Sequence, residues 1–536
     1  MLLYVIWLGV LVAAVWLYFR RLHSRFSRYG VKNLPPLPVI GNSLPGWKRK
    51  EHLVEEQERI YNSFPDEKFV GRFELLHAIL MLRDIEVIKK ITVKDFDYFL
   101  DHRTIVDENT DPFFGRNLFA LKGQEWKDMR STLSPAFTSS KIRLMVPFMV
   151  EVGNQMMDSL KMKLKESNEK YIDINVRDLT TRYANDVIAS CAFGLKVNSH
   201  ADVNNEFYMT GKSALDFNSS QIFKFVGFFL MPKIMKLFKV KLFSEATTNF
   251  FKNIVLSTMR ERETQNIIRP DMIHLLMEAK KGRLVHDDRG KYTDKSEPDA
   301  GFATVEESAV GHKKVNREWS DNDLIAQAVL FFIAGFETVA TAMSFAIHEL
   351  ALNPDIQDRL VKEIKENEAK NGGKFDYKSI QNMTYMDMVV SEVLRLWPAA
   401  MQLDRVCVKD YNMGKPNSTA TQDYIIRAGE GLIIPIYAIH RDPKYFPNPQ
   451  KFDPERFSEE NKHNIQPFAY LPFGSGARNC IGSRFALCEV KVMLYQLLLQ
   501  MEVSPCAKTC VPSRMDKNSF NFSLDGGHWV RLSLRT

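Results

Sequence analysis

Cysteine is scarce in this chain of 536 residues: only Cys191, Cys407, Cys480, Cys488, Cys506 and Cys510 are present. They are too few and too scattered for a disulfide scaffold, and no two stand as the C-x-x-C pair of a zinc site. Cys506 and Cys510 are near enough in sequence to bridge, but reduced thiols are the expectation for a domain facing the cytosol. Charge of one sign is lacking too. Lys and Arg number 72 against 65 Asp and Glu, and the excess of +7 is spread along the chain rather than gathered in a tail. With no nucleic-acid motif beside it, that balance speaks against nucleic-acid binding and suits a membrane surface or an acidic protein partner.

Charged residues are missing altogether from Met1 to Phe19, a stretch rich in Leu, Val, Trp and Tyr. Its length is close to the ~20 residues an α-helix needs to cross a bilayer. Arg20, Arg21, Arg25 and Arg28 follow at once. A cleaved signal carries its basic residues before the apolar run, so residues 1–19 read as a transmembrane signal anchor. The positive-inside rule then leaves the rest in the cytosol. The N-x-S/T matches at Asn218, Asn382, Asn417 and Asn521 are accordingly expected to carry no glycan. Residues 20–46 read as a basic, proline-rich linker, with Leu34-Pro35-Pro36-Leu37-Pro38-Val39-Ile40-Gly41-Asn42 stiff and extended.

The remainder is organised around Phe473-Gly474-Ser475-Gly476-Ala477-Arg478-Asn479-Cys480-Ile481-Gly482. After it, Phe485, Leu487, Val490, Met493, Leu494, Leu497 and Leu498 recur at helical spacing, which places Cys480 just ahead of a helix N-terminus. The unpaired N–H groups and helix dipole there favour an anion, so a thiol loses its proton more readily and becomes a metal ligand. Gly476 and Gly482 admit backbone angles and close approaches that a side chain blocks. Arg478 is a permanent cation suited to a carboxylate. A buried structural cysteine in a glycine-rich loop is the plain alternative.

The most continuous helical signal runs from Asp321 to Leu352 and ends at Asn353-Pro354. It is apolar all round, as a helix buried through the middle of a domain must be. Within it lies Ala334-Gly335-Phe336-Glu337-Thr338. Gly335 removes a side chain so that something flat can approach, and the Thr338 hydroxyl can loosen the local ladder. Glu337 beside that hydroxyl forms a pair able to relay a proton into a dry pocket. A threonine bonding its own helix backbone is the other reading. Further on, Glu392-Val393-Leu394-Arg395 sets a carboxylate and a guanidinium on one helix face, ahead of Pro454-Glu455-Arg456-Phe457.

The cysteine stretch matches F-x-x-G-x-R-x-C-x-G, and through it the chain resembles the cytochrome P450 superfamily, whose haem-thiolate signature this is. Five fixed positions coincide by chance in roughly one chain of this length in ten thousand, which sets the plain alternative aside. The motifs fall in the family's order from anchor to C-terminus, with the closest look to insect microsomal, detoxification-type members. Length alone suggests three or four domains. The resemblance implies one instead: a mainly α catalytic domain with a small β subdomain, the cytochrome P450 fold, over 47–536.

It also implies haem b with the Cys480 thiolate as axial ligand and Phe473, Gly476 and Arg478 around it. Trp126 and Arg130, four apart on one helix face, match a W-x-x-x-R pair that holds a haem propionate, and Arg405 matches an arginine that meets one. Ala334 and Gly335 border the oxygen pocket, while Glu337 and Thr338 supply and steady protons. Val339 departs from the family, where a second hydroxyl is common, and Leu37 stands where the hinge usually has glycine. Glu392, Arg395 and Arg456 form a structural ionic triad. The implied activity is monooxygenation of a lipophilic small molecule, expected to be a xenobiotic such as an insecticide or plant toxin. An endogenous lipid or hormone as substrate, or haem-thiolate isomerisation or dehydration, are the alternatives. Implied partners are NADPH–cytochrome P450 reductase, met by lysines such as Lys127, Lys141 and Lys491, and cytochrome b5. The implied location is the endoplasmic reticulum membrane, with the catalytic domain facing the cytosol.

Elsewhere, Phe69 to Phe73 and Leu75 to Leu82 read as a hairpin, Ile85 to Ile91 as helix, and Gly123 to Leu133 as helix. Residues 104–121, with Phe113, Phe114 and Phe119, resemble the family's variable substrate-facing loop. From about Phe148 to Leu276 helices are expected. Within them Ile222 to Phe243 mixes large apolar residues with Lys224, Lys233, Lys236, Lys239 and Lys241, a composition for the lipid interface. Arg283 to Trp319 reads as a long mobile surface connection. Gly431 to Tyr437 and Phe520 to Leu534 read as strands of the β subdomain.

Overall fold

In the computed structural model the uncharged N-terminal run is the start of a longer helix, α1 (Leu2–Ser27). The structure describes residues 2–535 except 44–45, 47, 104–105, 107, 109, 216–218, 283–300, 306–308, 313–316, 374–375 and 520. Asn218 and most of the polar connection after residue 283 thus lie outside the described residues. Residues Leu3–Ser27 are long and apolar enough to cross a membrane, and their apolar stretch is not buried by the protein. Helical structure does not stop at the basic residues expected to open a linker. The last two turns of α1 dock on the domain, with Phe26 wholly buried against Phe73 and Tyr424, ring centroids 5.1 and 6.1 Å away. Arg25 joins this contact by donating to both carboxylate oxygens of Glu430, at 2.9 and 2.8 Å. The proline-rich segment is likewise not extended throughout. Leu37 and Gly41 exchange two backbone hydrogen bonds of 2.9 Å, closing a tight turn. Gly41 makes it possible: its φ is +70°, and an added Cβ would lie 2.2 Å from the Phe73 carbonyl oxygen.

The expected hairpin is β1 (Phe69–Glu74) and β2 (His77–Leu82). The other strands are β3 (Tyr171–Asn175), β4 (Leu403–Val406), β5 (Tyr411–Gly414), β6 (Tyr424–Ile426), β7 (Gly431–Ile434), β8 (Met501–Ser504) and β9 (Trp529–Leu534). The main sheet has the order β1-β2-β7-β4, with β2 and β7 parallel and the other pairs antiparallel. β3 interrupts the stretch expected to be helical, because Ile172 and Ile174 alternate with polar residues and the strand pairs with β9. β9 begins later than the sequence suggests, since Gly526 and Gly527 turn the chain at φ +72° and +95° just before it.

The helices that position the site are α2 (Gly123–Leu133), α3 (Ser139–Ser167), α4 (Val176–Cys191), α5 (Ser219–Leu230), α6 (Pro232–Leu237), α7 (Asp321–Leu352), α8 (Thr384–Leu396) and α9 (Ser483–Gln500). α7 has the predicted bounds. Ser320 and Asp323 close a capping box at its start, and Pro354 follows its end. From Val339 to Ala351 every side chain of α7 is buried, among α4, α8 and α9. Burying a Phe or Ile there stabilises the fold by about 1.5–3 kcal/mol each, which makes α7 the centre of the core. The downstream part of the expected mobile connection is tied down. Phe302 packs on Phe457 and Tyr470 at 5.1 and 5.6 Å, its N–H donates to Asp387 at 2.8 Å, and Ala303 and Val310 are buried.

Glu349 lies in this core, accepting a hydrogen bond from the Trp397 indole at 2.8 Å. Burial pushes its carboxyl up to about 7 from the ordinary 4.5. The folded state therefore holds the proton longer than the unfolded chain, and this contribution to stability is lost as pH rises from about 4.5 through 7. Glu349→Gln keeps the acceptor and cannot ionise. Its unfolding free energy should fall less than the wild type's across that window, by up to about 3 kcal/mol, in urea titrations at stepped pH. Parallel curves would contradict the assignment.

Candidate functional site

The Cys480 loop is held shut by its own backbone. The Cys480 N–H donates to the Phe473 carbonyl at 2.9 Å, and the Asn479 N–H to that of Gly476 at 3.0 Å. Phe473 itself packs on the main core. Gly476 has φ +71°, and an added Cβ would lie 1.8 Å from the Thr92 carbonyl oxygen, so this glycine lets the loop press against residues 90–94. Gly482 differs from expectation: its φ is −96°, and an added Cβ would meet nothing nearer than Phe137 at 3.7 Å. The described protein atoms do not require glycine at 482. α9 begins at Ser483, as the periodicity predicts. Burial raises the Cys480 thiol above its ordinary value, while the Gly482 N–H and the Arg130 charge pull the other way. Yet Cys480 keeps accessible surface, as do Ala334 and Thr338 one turn apart on α7. The middle of a core helix and the cysteine loop thus both present exposed atoms inside the domain.

Trp126 and Arg130 share a helix face, each with its own protein partner. Arg130 donates to the carbonyl and side-chain oxygens of Asn479, at 2.7 and 2.8 Å, and so braces the residue before the cysteine. Trp126 lies flat beneath Arg478, whose guanidinium carbon is 4.0 Å from the ring centroid. Arg478 donates to the carbonyls of Leu100, Leu118 and Leu121 at 2.7, 3.2 and 2.8 Å, with Asp101 3.6 Å away. Arg405, on β4, is 2% exposed and donates to the Asp404 carbonyl at 2.6 Å. Burial, aided by the Arg405 charge, pushes Arg478 down to about 8, and burial pushes Arg405 down to about 10. Arg478, Arg405 and Arg130 thus lie near two carboxylates, Asp101 and Asp404, and Asp404 is already engaged by His102. A flat dianion such as a haem with its two propionates fits that deficit.

The sequence reading missed His102, which meets Asp404 at 2.9 Å and stacks on Phe119 at 4.2 Å beside these arginines. Burial would raise Asp404, but the His102 hydrogen bond and charge hold it well below the usual carboxylate range. It also missed Arg177 at the start of α4. Arg177 pairs with the Glu337 carboxylate and donates to Thr341 Oγ at 2.8 Å. Glu337 therefore faces α4, while Thr338 points elsewhere and donates to the Ala334 carbonyl at 2.5 Å. The close approach that Gly335 permits is to Ile188 of α4, 3.0 Å from an added Cβ. Val339 is buried in the apolar core, and the hydroxyl meeting Arg177 is that of Thr341. No pattern in the sequence announced either partner, because each lies more than 150 residues from the group it serves.

The 104–121 loop divides its aromatics. Phe113 faces Phe332 and Ile333 of α7 across a small apolar cleft, Phe114 packs with Phe228 and Met235, and Phe119 covers His102. The ionic triad is assembled: Arg395 meets Glu392 at 2.6 Å and Arg456 meets it at 3.4 Å. One of the docking lysines is not available. Lys491 is wholly buried and paired with Asp387 at 2.9 Å, because it sits on the core side of α9. Lys127 is paired with Asp97 at 2.8 Å. All six cysteines are free thiols, Cys506 and Cys510 included.

A cysteine loop at the head of α9, a long buried helix packed on α9 and buried arginines near the thiol fit one class: a haem-thiolate enzyme. Comparison with known proteins agrees. The family model for Cytochrome P450 matches residues 32–526. The chain is 46% identical to Cytochrome P450 9e2 of Blattella germanica over 527 residues, covering 96% of this chain and 94% of that protein. It is 42% identical to Probable cytochrome P450 9f2 of Drosophila melanogaster, over 95% of both chains. With Cytochrome P450 6k1 of Blattella germanica it shares 36% over 96% of this chain and 93% of that one. The chain belongs to the cytochrome P450 family: a haem-binding monooxygenase, associated with membranes through its N-terminal helix.

The triad's members differ in what their loss should cost. Arg395 is fully buried, with donors on both Glu392 oxygens and on the carbonyls of His440 and Lys451. Arg395→Ala should cost about 3–5 kcal/mol, because it strands a buried carboxylate, and should sharply lower the yield of pigmented protein. Arg456, 12% exposed and 3.4 Å from Glu392, should cost about 1 kcal/mol. Urea midpoints and pigment yield of the two variants check this; equal losses would contradict it.

Proposed function

We propose that Cys480 is the axial ligand of the haem iron and that the enzyme oxidises a lipophilic foreign compound with electrons from NADPH through a reductase. The single observation that carries this reading is the thiol that keeps accessible surface just ahead of α9, beside the buried guanidiniums of Arg130, Arg405 and Arg478, which outnumber the nearby carboxylates of Asp101 and Asp404. Haem, when bound, supplies the oxygen activation, helped by the electron-donating thiolate. The chain's residues do the rest. The Gly482 N–H steadies the sulfur, and Arg130 holds Asn479 so that the loop keeps its shape. Arg478 and Arg405 neutralise propionates, with Trp126 under Arg478 excluding water. Ala334 and Gly335 border the oxygen site. Thr338 Oγ, already donating to the Ala334 carbonyl, keeps its lone pairs free to accept a proton-bearing group. Glu337 supplies protons when Arg177 lets it turn from α4.

The aromatic face of α7 and Phe113 favour an apolar substrate. Phe223, Leu237 and Phe238 are about three-quarters exposed among the lysines of α5, α6 and the segment after them, a surface suited to the lipid interface. With α1 spanning through residue 19 and the basic residues inside, the catalytic domain faces the cytosol from the endoplasmic reticulum membrane. There it meets NADPH–cytochrome P450 reductase and cytochrome b5.

Full-length protein with the reductase should dealkylate 7-ethoxycoumarin only when NADPH is supplied. Thr338→Ala should lower product at least tenfold while NADPH consumption falls less, since oxygen is still reduced but protons arrive wrongly. Product formation unchanged in Thr338→Ala, or turnover without NADPH, would refute the reading.

A further inference from the structure

A cavity of about 850 Å³ lies between the docked end of α1, the β1–β2 hairpin and the α5–α6 junction, and Cys480 is not among the residues that line it. Its walls carry Arg21, Arg25, Arg28, Arg103 and Lys122 against one carboxylate, Glu430. Two of these cations are neutralised: Arg25 by Glu430 and Arg103 by Glu74, each at 2.8 Å. Among the described residues no carboxylate pairs with Arg21, Arg28 or Lys122, all three exposed. The cavity therefore keeps three cations in excess.

Its place explains the charge. Tyr18, on the last apolar turn of α1, and Phe228 and Pro232 of α5 and α6 line the same space. The helix that enters the membrane and the patch bearing Phe223, Leu237 and Phe238 thus flank one cationic recess. A recess of that kind between two lipid-facing surfaces suits a molecule with an anionic head and apolar tails. We propose that the cavity takes the phosphate headgroup of an anionic glycerophospholipid, with its acyl chains running back along the exposed side of α1. The inference rests on membrane association of α1 and not on the catalytic assignment.

The test uses full-length holoprotein in micelles of an uncharged detergent doped with equal phosphatidylcholine and phosphatidylserine, with co-purifying lipid counted by native mass spectrometry. The wild type should retain about one phosphatidylserine per chain, enriched roughly tenfold over phosphatidylcholine. Arg28→Gln/Lys122→Gln, which leaves Arg20, Arg21 and Arg25 to hold the topology, should fall to near parity. Lys233→Gln/Lys239→Gln, with the same charge loss outside the cavity, should keep the enrichment. If the double variant proves misfolded by circular dichroism, Lys122→Gln alone should lower enrichment about threefold. No enrichment in the wild type overturns the proposal. Equal loss in the outside control does so too, by showing diffuse surface charge. Displacement of the lipid by millimolar glycerol 3-phosphate overturns the lipid assignment in favour of a soluble phosphate.

Discussion

Burying guanidiniums is expensive unless an anion arrives with them, and this domain buries several around a thiol. Arg478 and Arg405 sit in the interior with their affinity for protons lowered by lost hydration; with Arg130 they outnumber the nearby carboxylates of Asp101 and Asp404, the second of which is engaged by His102. Removing a charge from water costs several kcal/mol even after relaxation. That deficit is the constraint from which the site follows. A flat, dianionic group beside the cysteine loop offsets it, and each surrounding residue has its task. Trp126 covers one guanidinium, Arg130 pins Asn479, and Gly476 lets the loop close on residues 90–94.

The rest of the fold keeps that setting rigid. α7 runs buried through the domain and α9 starts where the cysteine loop ends. The triad of Glu392, Arg395 and Arg456 fixes α8 to the segment after Pro454. On the other side of α7, Glu337 is clamped to Arg177, so the acid and the Thr338 hydroxyl point different ways although they are neighbours in sequence. Residues one apart on a helix are separated by about 100°. Adjacency therefore does not make a relay, and a turn of the carboxylate is required to connect them.

What the sequence made legible was local. The bounds of α7 followed from its continuous apolar signal and Asn353-Pro354; the start of α9 followed from spacing; the hairpin followed from two short apolar runs. The cysteine loop was legible because its chemistry is written in ten consecutive residues. What stayed hidden was long-range. Arg177 against Glu337, His102 against Asp404 and Lys491 against Asp387 join distant segments, and no propensity encodes such meetings. Gly335 reads in the sequence as room for a flat ligand, and the side chain packed closest to it is Ile188 of α4. The docked end of α1 was hidden by its arginines, which end the uncharged run but not the helix.

The central claim is a bond between the Cys480 sulfur and iron. The most direct measurement is the absorption spectrum of the dithionite-reduced, carbon monoxide-treated full-length protein beside Cys480→Ser. The account predicts the red-shifted Soret band of thiolate-ligated haem in the wild type and its loss in the variant. A variant that retained that band would contradict the account outright.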